Sequence, residues 1–333
     1  MKPETILEPR RLPAEWEPQQ ALWLSWPLSS WLWPGRLPEA QALFARLAVT
    51  AACYQPVCIN AAPEAHTGIR QALDAAGSAQ QPITLLPVPT DDVWIRDHGP
   101  IFVRDGKERL LATDWTFNAW GGKFPEYARD NAVPAVLAEA CQWARAVPEP
   151  GYILEGGAIE SDGRGTVLTT EPVILNPNRN PNFSPEEHHA ILKRGLGVER
   201  VISLPEGIPN DDTDGHIDNV ARFTPRGDVL LALHPSLPQL ERNRERLTAE
   251  GFTVEALVLP QLPGNPPPPA SYANYVVLNA AVLVPTFDTA AEDARAIATL
   301  QAAFPEREIV PFDARLLLAE GGALHCCTLN AFA

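Results

Sequence analysis

The chain has 333 residues and a formal charge of −15, with a pI of about 4.9, which excludes nucleic acid and anionic membrane surfaces as natural partners. Hydrophobic residues at 45% and charged residues at 20% exclude a disordered chain and leave room for one large core or two ordinary ones. The acidity favours encounter with a cationic molecule, although solubility alone accounts for it equally well.

At the N-terminus, M-K-P-E-T-I-L-E-P-R-R lacks the apolar stretch of a secretory signal. Residues 21–33 are too short to span a bilayer and are interrupted by Pro27. Residues 39–52 then read as a helix, 57–59 as a strand, 83–88 and 110–113 as further strands, and the Ala-rich stretch 133–147 as helical. A strand at 166–170 precedes a clear helix start, with Ser184 as N-cap, Pro185 at the first position and Glu187 closing a capping box; Gly195 or Gly197 stops that helix. A strand at 229–233, a helix at 239–250, a strand at 276–284, a helix at 292–303 and a strand at 309–312 complete the series. The pattern is α/β with 35 prolines, which implies short loops and few long helices. Proline-rich residues 263–269 read as a rigid surface loop rather than a linker, so one domain over residues 1–333 is expected. Five cysteines, an odd number without framework spacing, argue for a reducing cytoplasm.

One internal repeat stands out: L-E-G-G-A-I-E at 154–160 returns as A-E-G-G-A-L-H at 319–325, as a duplicated strand–turn unit would. Three segments could carry chemistry. W-I-R-D-H-G-P at 94–100 is poor core material and suits a ligand-facing loop, although an Arg96–Asp97 ion pair explains it as simply. N-D-D-T-D-G-H-I-D-N at 210–219 has the start of a calcium loop, but the closing bidentate position falls on Ala221. His216 and Asp218 alone are too few for a transition metal. As an extended strand, the segment would point both to one face, one handling a proton and the other holding a cation; a solvated acidic turn is the plainer alternative. In H-C-C-T at 325–328, Cys326 fits an exposed nucleophile, whereas Cys53, Cys58 and Cys141 suit core positions. In a strand only one of Cys326 and Cys327 could face the site. A thiol, an imidazole and surplus carboxylates point to attack on a guanidinium, which is planar, positive and matched by carboxylate pairs.

These segments, in order and with L-P-A-E-W-E-P at 12–18, D-W-T-F-N-A-W-G-G at 114–122, N-R-N-P at 178–181 and S-Y-A-N-Y at 271–275, resemble the agmatine deiminase family and its bacterial peptidyl-arginine deiminase relatives, within the guanidine-modifying superfamily. The resemblance implies a five-bladed α/β propeller with pseudo-fivefold symmetry and a central site. It implies Cys326 as nucleophile, His216 as general acid and base, Asp97 and Asp218 gripping the guanidinium, and Glu155 orienting His216 or helping to grip. Trp94, Trp120, Asp212 and Gly322 would bind substrate. No metal or organic cofactor is implied; the partner is a small cationic guanidine, and a homodimer is left open. The implied reaction is hydrolysis of agmatine to N-carbamoylputrescine and ammonia through a thiouronium, a step in putrescine and polyamine biosynthesis. Family members read close to G-G-G-N-I-H-C-I-T-Q-Q around the nucleophile. Here Glu320, Ala323, Leu329 and Asn330 depart from that pattern. Free or peptidyl arginine as substrate, amidinotransfer, and a non-catalytic guanidinium-binding module remain the alternatives.

Overall fold

Apolar runs of two to seven residues, broken by Gly, Pro and Asn, form sixteen short strands in a computed structural model that describes residues 10–29, 31–264 and 267–333. Among the described residues they make five small sheets. The first contains β1 (Gln19–Ser25), β2 (Val57–Asn60) and β3 (Ile83–Leu86), all parallel. The second contains β4 (Ile101–Arg104), β5 (Leu110–Thr113) and β6 (Ala144–Ala146); the third, β7 (Glu160–Ser161), β8 (Thr166–Thr170) and β9 (Arg200–Leu204). The fourth holds β10 (Ala221–Phe223), β11 (Val229–Leu233) and β12 (Val254–Val258), and the fifth β13 (Val276–Val277), β14 (Ala281–Thr286) and β15 (Glu308–Asp313). Finally β16 (Leu329–Phe332) returns to pair antiparallel with β1.

One connection rule generates all five. An antiparallel pair is followed by a parallel one: β4–β5 then β5–β6, β7–β8 then β8–β9, β10–β11 then β11–β12, β13–β14 then β14–β15. The first sheet obeys it only because β16 supplies the antiparallel partner of β1. Parallel pairing requires a crossover, and a helix provides each one: Leu37–Ala51 and His66–Ala76 in the first sheet, then Ala128–Ala140, Pro185–Leu196, Glu241–Ala249 and Ala290–Ala303 in the other four. Each helix lays its apolar residues on its own sheet, and the buried hydrophobic side chains fall into several clusters accordingly.

The sequence-based elements are recovered with a few corrections. Ser184 caps its helix as expected: its hydroxyl accepts from Glu187 N at 3.3 Å while Glu187 Oε2 accepts from Ser184 N at 2.7 Å. Gly197 ends that helix at φ 68°, and Gly195 lies inside it, where an added Cβ would meet Trp115 at 2.3 Å. The stretch 133–147 is not one helix. The helix is Ala128–Ala140, Gln142 turns the chain at φ 56°, and the remaining alanines form β6. The strand expected at 276–284 divides into β13 and β14 around the turn at Asn279. The helix expected at 239–250 begins as a 3₁₀ turn, Pro238–Leu240. Of the proline-rich loop 263–269, residues 265 and 266 lie outside the described residues, as does most of the N-terminal segment. No helix among the described residues is long and apolar enough to cross a membrane.

The segment just before the antiparallel strand of each sheet is a short tight turn: Ile95–His98 before β4, Gly156–Ala158 before β7, Ile217–Asn219 before β10, a turn at 272–273 before β13, and another at 324–327 before β16. One of the five, Gly156–Ala158, lies in the first copy of the E-G-G-A repeat, and the second copy at 320–323 immediately precedes the turn at 324–327. The five turns carry or directly adjoin Asp97, Glu155, His216 with Asp218, Asn274 and Cys326.

Candidate active site

Cys326 lines a cavity of about 210 Å³ together with Asp97, Trp94, Trp120, Asp212 and Glu320. The thiol is only 4% exposed, so it sits at the end of the cavity rather than on an open surface as the sequence suggested. Both cysteines lie in the turn at 324–327, not in a strand. Cys327 is fully buried in the core, its Sγ 3.4 Å from Leu324 O. Cys53, Cys58 and Cys141, expected in the core, are only half-buried.

Asn274 secures the nucleophile segment from the neighbouring turn. Its Nδ2 donates to Cys326 Sγ at 3.1 Å, and its Oδ1 accepts from His325 N at 2.9 Å and Cys326 N at 3.3 Å. Asp218 Oδ2 lies 3.8 Å from the sulfur. Burial pushes the Cys326 thiol well above its ordinary range, and the charges of Asp218 and Asp97 push it further. A neutral thiol is therefore the resting form, and a cation placed between thiol and acids reverses the electrostatic part of that shift.

Asp97 accepts from Trp120 Nε1 at 2.9 Å on one oxygen and from Gly157 N at 3.0 Å on the other, which also lies 3.5 Å from His216 Nδ1. Burial raises its carboxyl to about 6, against the opposing pull of His216, with Asp218 adding to the rise. Asp218 is shifted the other way. Burial works to raise it, but the hydrogen bond and charge of His325, with His216 and Arg222, bring it below the usual carboxylate value. Its Oδ1 and both ring nitrogens of His216 are buried without a hydrogen-bond partner among the described residues. Buried polar atoms left without partners beside one another are ones that a polar ligand could satisfy.

His216 and Asp218 do not share a strand face; His216 immediately precedes a 3₁₀ turn, Ile217–Asn219, and Asp218 lies within it. The loop before it is fixed by its own acids, not by a metal. Asp211 Oδ1 accepts from Thr213 N and Oγ1, Thr213 Oγ1 accepts from His216 N at 3.0 Å, and Asp214 binds Lys123 and Arg179. Glu155 does not touch His216. It accepts from Arg179 Nε at 2.8 Å, and Arg179 in turn grips Asp214 Oδ2 at 2.7 Å and Thr213 O at 2.9 Å. Glu155 thus reaches the His216 loop through Arg179. Arg96 pairs with Glu15 at 2.9 Å, not with Asp97.

Several close approaches require glycine or unusual backbone. A Cβ on Gly322 would lie 2.4 Å from the Trp94 ring, so Gly322 shapes the wall through Trp94. Ala119 and Trp120 both adopt positive φ, 55° and 54°, a strain tolerated where a side chain must be aimed; here it delivers Trp120 Nε1 to Asp97. A Cβ on Gly157 would lie 2.6 Å from His216 Nδ1 and 2.7 Å from Asp97 Oδ1. Because Gly157 has no positive φ, Gly157→Ala is expected to fold, with little change in melting temperature. It should lower kcat/KM about 100-fold by displacing these groups, the cost of a misplacement near 1 Å.

Glu15, Arg179, Arg222, Asn274 and His325 belong to the site's framework without having been singled out. Each lay within or beside a noticed segment, but its partner is 24 to 310 residues away, and no local pattern signals such a pairing.

The fold and the cluster define a mixed α/β protein of several small sheets, with a buried thiol and carboxylate lining a cavity and an imidazole and a second carboxylate packed behind them. Residues 11–331 match the Porphyromonas-type peptidyl-arginine deiminase family, and the chain belongs to it. Agmatine deiminase of Pseudomonas aeruginosa (strain LESB58) is 36% identical, covering 96% of this chain and 94% of that protein, and that of Pseudomonas putida (strain F1) is 35% identical, covering 95% and 94%. A cysteine-to-serine variant of C. jejuni agmatine deiminase with substrate bound superposes with a TM-score of 0.89 at 30% identity, over 97% and 96% of the two chains. A Porphyromonas gingivalis structure described as an arginine deiminase superposes at 0.85 with 31% identity, over 97% and 98%. The protein is thus a hydrolase of the class that acts on C–N bonds of linear amidines.

Proposed function

We propose that this chain hydrolyses agmatine to N-carbamoylputrescine and ammonia, with Cys326 as nucleophile, His216 as general acid and base, and Asp97 and Asp218 holding the guanidinium. The observation that carries the reading is a cavity wall whose acids run from buried to exposed, with aromatic rings beside them. Cys326, Asp97, Trp94 and Trp120 are its buried lining, Asp218 lies 3.8 Å from the sulfur, and Glu320 is half-buried and Asp212 exposed. Agmatine has a guanidinium at one end, an ammonium at the other and methylenes between, and so matches that order. Arginine would bring an α-carboxylate toward Asp212 and Glu320, a like-charge contact that disfavours it. The relatives named agmatine deiminase support the same choice.

Bound guanidinium lowers the cost of the thiolate, and the thiol proton passes to His216. The sulfur attacks the guanidinium carbon, and His216 returns the proton to the departing nitrogen. Ammonia leaves, and a cationic S-alkylthiouronium remains on Cys326. Water then loses a proton to His216 and attacks the same carbon, expelling the sulfur and leaving a ureido group. Guanidinium and one water thereby give urea-type product and ammonium, with no change of oxidation state and no metal or organic cofactor required.

The repeated sheet rule, with β16 completing the first sheet, supports a five-bladed propeller of pseudo-fivefold symmetry whose inner turns carry the site, forming one catalytic domain. The acidic chain and its enzymatic reading fit a cytoplasmic role in putrescine and polyamine biosynthesis.

A colorimetric ureido assay with agmatine, arginine and an arginyl peptide tests the reading. Product from agmatine in clear preference is expected; product from arginine or peptide alone would overturn the substrate, and none from any would overturn the activity. Ammonia and ureido product formed without an amine acceptor also separate hydrolysis from amidinotransfer. The double variant Asp212→Asn, Glu320→Gln should raise KM for agmatine roughly 10-fold with kcat nearly kept, because it removes binding remote from the reacting carbon.

A further inference from the structure

His325, beside the nucleophile, takes no part in the steps above, yet it is 1% exposed and lies between two carboxylates. Its Nδ1 is 2.8 Å from Asp218 Oδ2, and its Nε2 is 2.6 Å from Glu15 Oε1. Ionised carboxylates only accept hydrogen bonds, so a ring bonded to one at each nitrogen must donate at both, and a ring that donates at both is an imidazolium. The surroundings fix the state of both acids. Glu15 also binds Arg96 at 2.9 Å and Arg222 at 2.6 Å. Its burial alone would raise it, but His325, Arg96 and Arg222 together hold it well below the usual range. Arg222 is itself buried between Glu15 and Glu160, 2.9 Å from the latter. The set Arg96, Arg222, His325, Glu15, Glu160 and Asp218 carries equal numbers of cations and anions when His325 is charged and Glu160 is ionised.

From this geometry we infer that His325 is a positioning residue. As a fixed imidazolium it ties Asp218 Oδ2 to the Glu15 network and keeps Asp218 ionised, leaving the unpartnered Oδ1 to take the substrate's N–H. The inference rests on the functional reading above, since it assigns Asp218 to the guanidinium. The charged groups facing Asp218 are His325, His216, Arg222, Asp97, Asp211 and the Cys326 thiol; those facing His325 are Glu15 and Asp218, with Arg96 on the same Glu15 oxygen. Without His325, burial dominates and Asp218 takes up a proton more easily. The free enzyme then has two acids, Asp97 and Asp218, that must both lose a proton before a guanidinium binds.

The test uses the full chain, wild type and His325→Gln, with kcat and KM for agmatine followed against pH. The variant should raise KM about 10-fold or more at neutral pH, a loss of one charge-assisted contact. Its kcat/KM should fall on the acid side at higher pH than wild type and more steeply, as two protons are gained instead of one. A folded His325→Gln with unchanged KM and an unchanged acid limb overturns the assignment, even if its melting temperature has dropped. Should that variant not fold, Glu15→Gln replaces it: the amide oxygen still accepts from Nε2, so the same shifts in weaker form are expected, and their absence overturns the assignment. Histidine-selective ¹⁵N NMR of the wild type separates this inference from the functional one. Both ring nitrogens of His325 should carry protons at the pH of the kinetic assay, as the two carboxylate contacts require. A neutral His325 refutes the inference even in an active enzyme, whereas wild type without ureido product refutes the functional reading alone.

Discussion

Cys326→Ala is expected to lower turnover of agmatine by about 10⁵-fold or more, the scale seen when a covalent nucleophile is removed from a site whose members act as a unit. Nothing nearby can substitute. Cys327 lies in the same turn but is buried in the core with its Sγ 3.4 Å from Leu324 O, so it has no route to the substrate. The variant should still fold and bind, because Cys326 contributes one small side chain and its backbone N is held by Asn274 Oδ1. Binding is the more informative readout: the Asp97 and Asp218 carboxylates stay in place, and agmatine should raise the melting temperature of Cys326→Ala and of wild type alike. Cys327→Ala is the control, costing about 1 kcal/mol of stability by leaving a small void and leaving kcat nearly unchanged.

His216→Ala should cost about 10³- to 10⁴-fold in kcat, the range for a general acid–base group, because the proposed mechanism uses the same imidazole in both half-reactions. It also leaves a signature in pH. Asp97 must be ionised to hold the guanidinium, and its carboxyl, raised by burial to about 6, is restrained from rising further by His216. Wild-type kcat/KM should therefore fall about tenfold per unit as pH drops below about 6. Removing His216 removes the restraint, so the acid limb of the residual activity must move to higher pH. A limb that stays in place, or residual kcat within tenfold of wild type, would rule out the assigned role.

How much of this was legible from sequence differs between chemistry and geometry. Asp97, His216, Asp218 and Cys326 lie in short polar segments that make poor core, and they were visible for that reason. The cavity confirms their proximity: Cys326 and Asp97 share its wall, and Asp97, Asp218 and His216 surround Gly157. What hid was conformation. His216 and Asp218 read as strand residues because alternate positions were polar, but Gly215 at φ 105° and the 3₁₀ turn after it place them differently. The Ala-rich stretch 133–147 read as one helix because alanine signals helix regardless of context, yet Ala144 and Ala146 pair parallel with β5. The framework of Glu15, Arg96, Arg222 and His325 hid for another reason. Its ion pairs join residues as far apart as Glu15 and His325, 310 positions in sequence, and are set by the way β16 returns to β1. Cys58 and Cys141 were assigned to the core on the general tendency of free thiols to be buried; both pack against a core cluster but stay half-buried, Cys58 within β2 and Cys141 at the end of the helix Ala128–Ala140.

The most direct test of the account is to mix the enzyme with agmatine, quench in acid within a single turnover and weigh the protein and its peptides. A thiouronium adduct on the peptide carrying Cys326, present in wild type and missing from Cys326→Ala, is the predicted result. Full turnover of agmatine with no adduct at any quench time, together with activity that survives in Cys326→Ala, would contradict it.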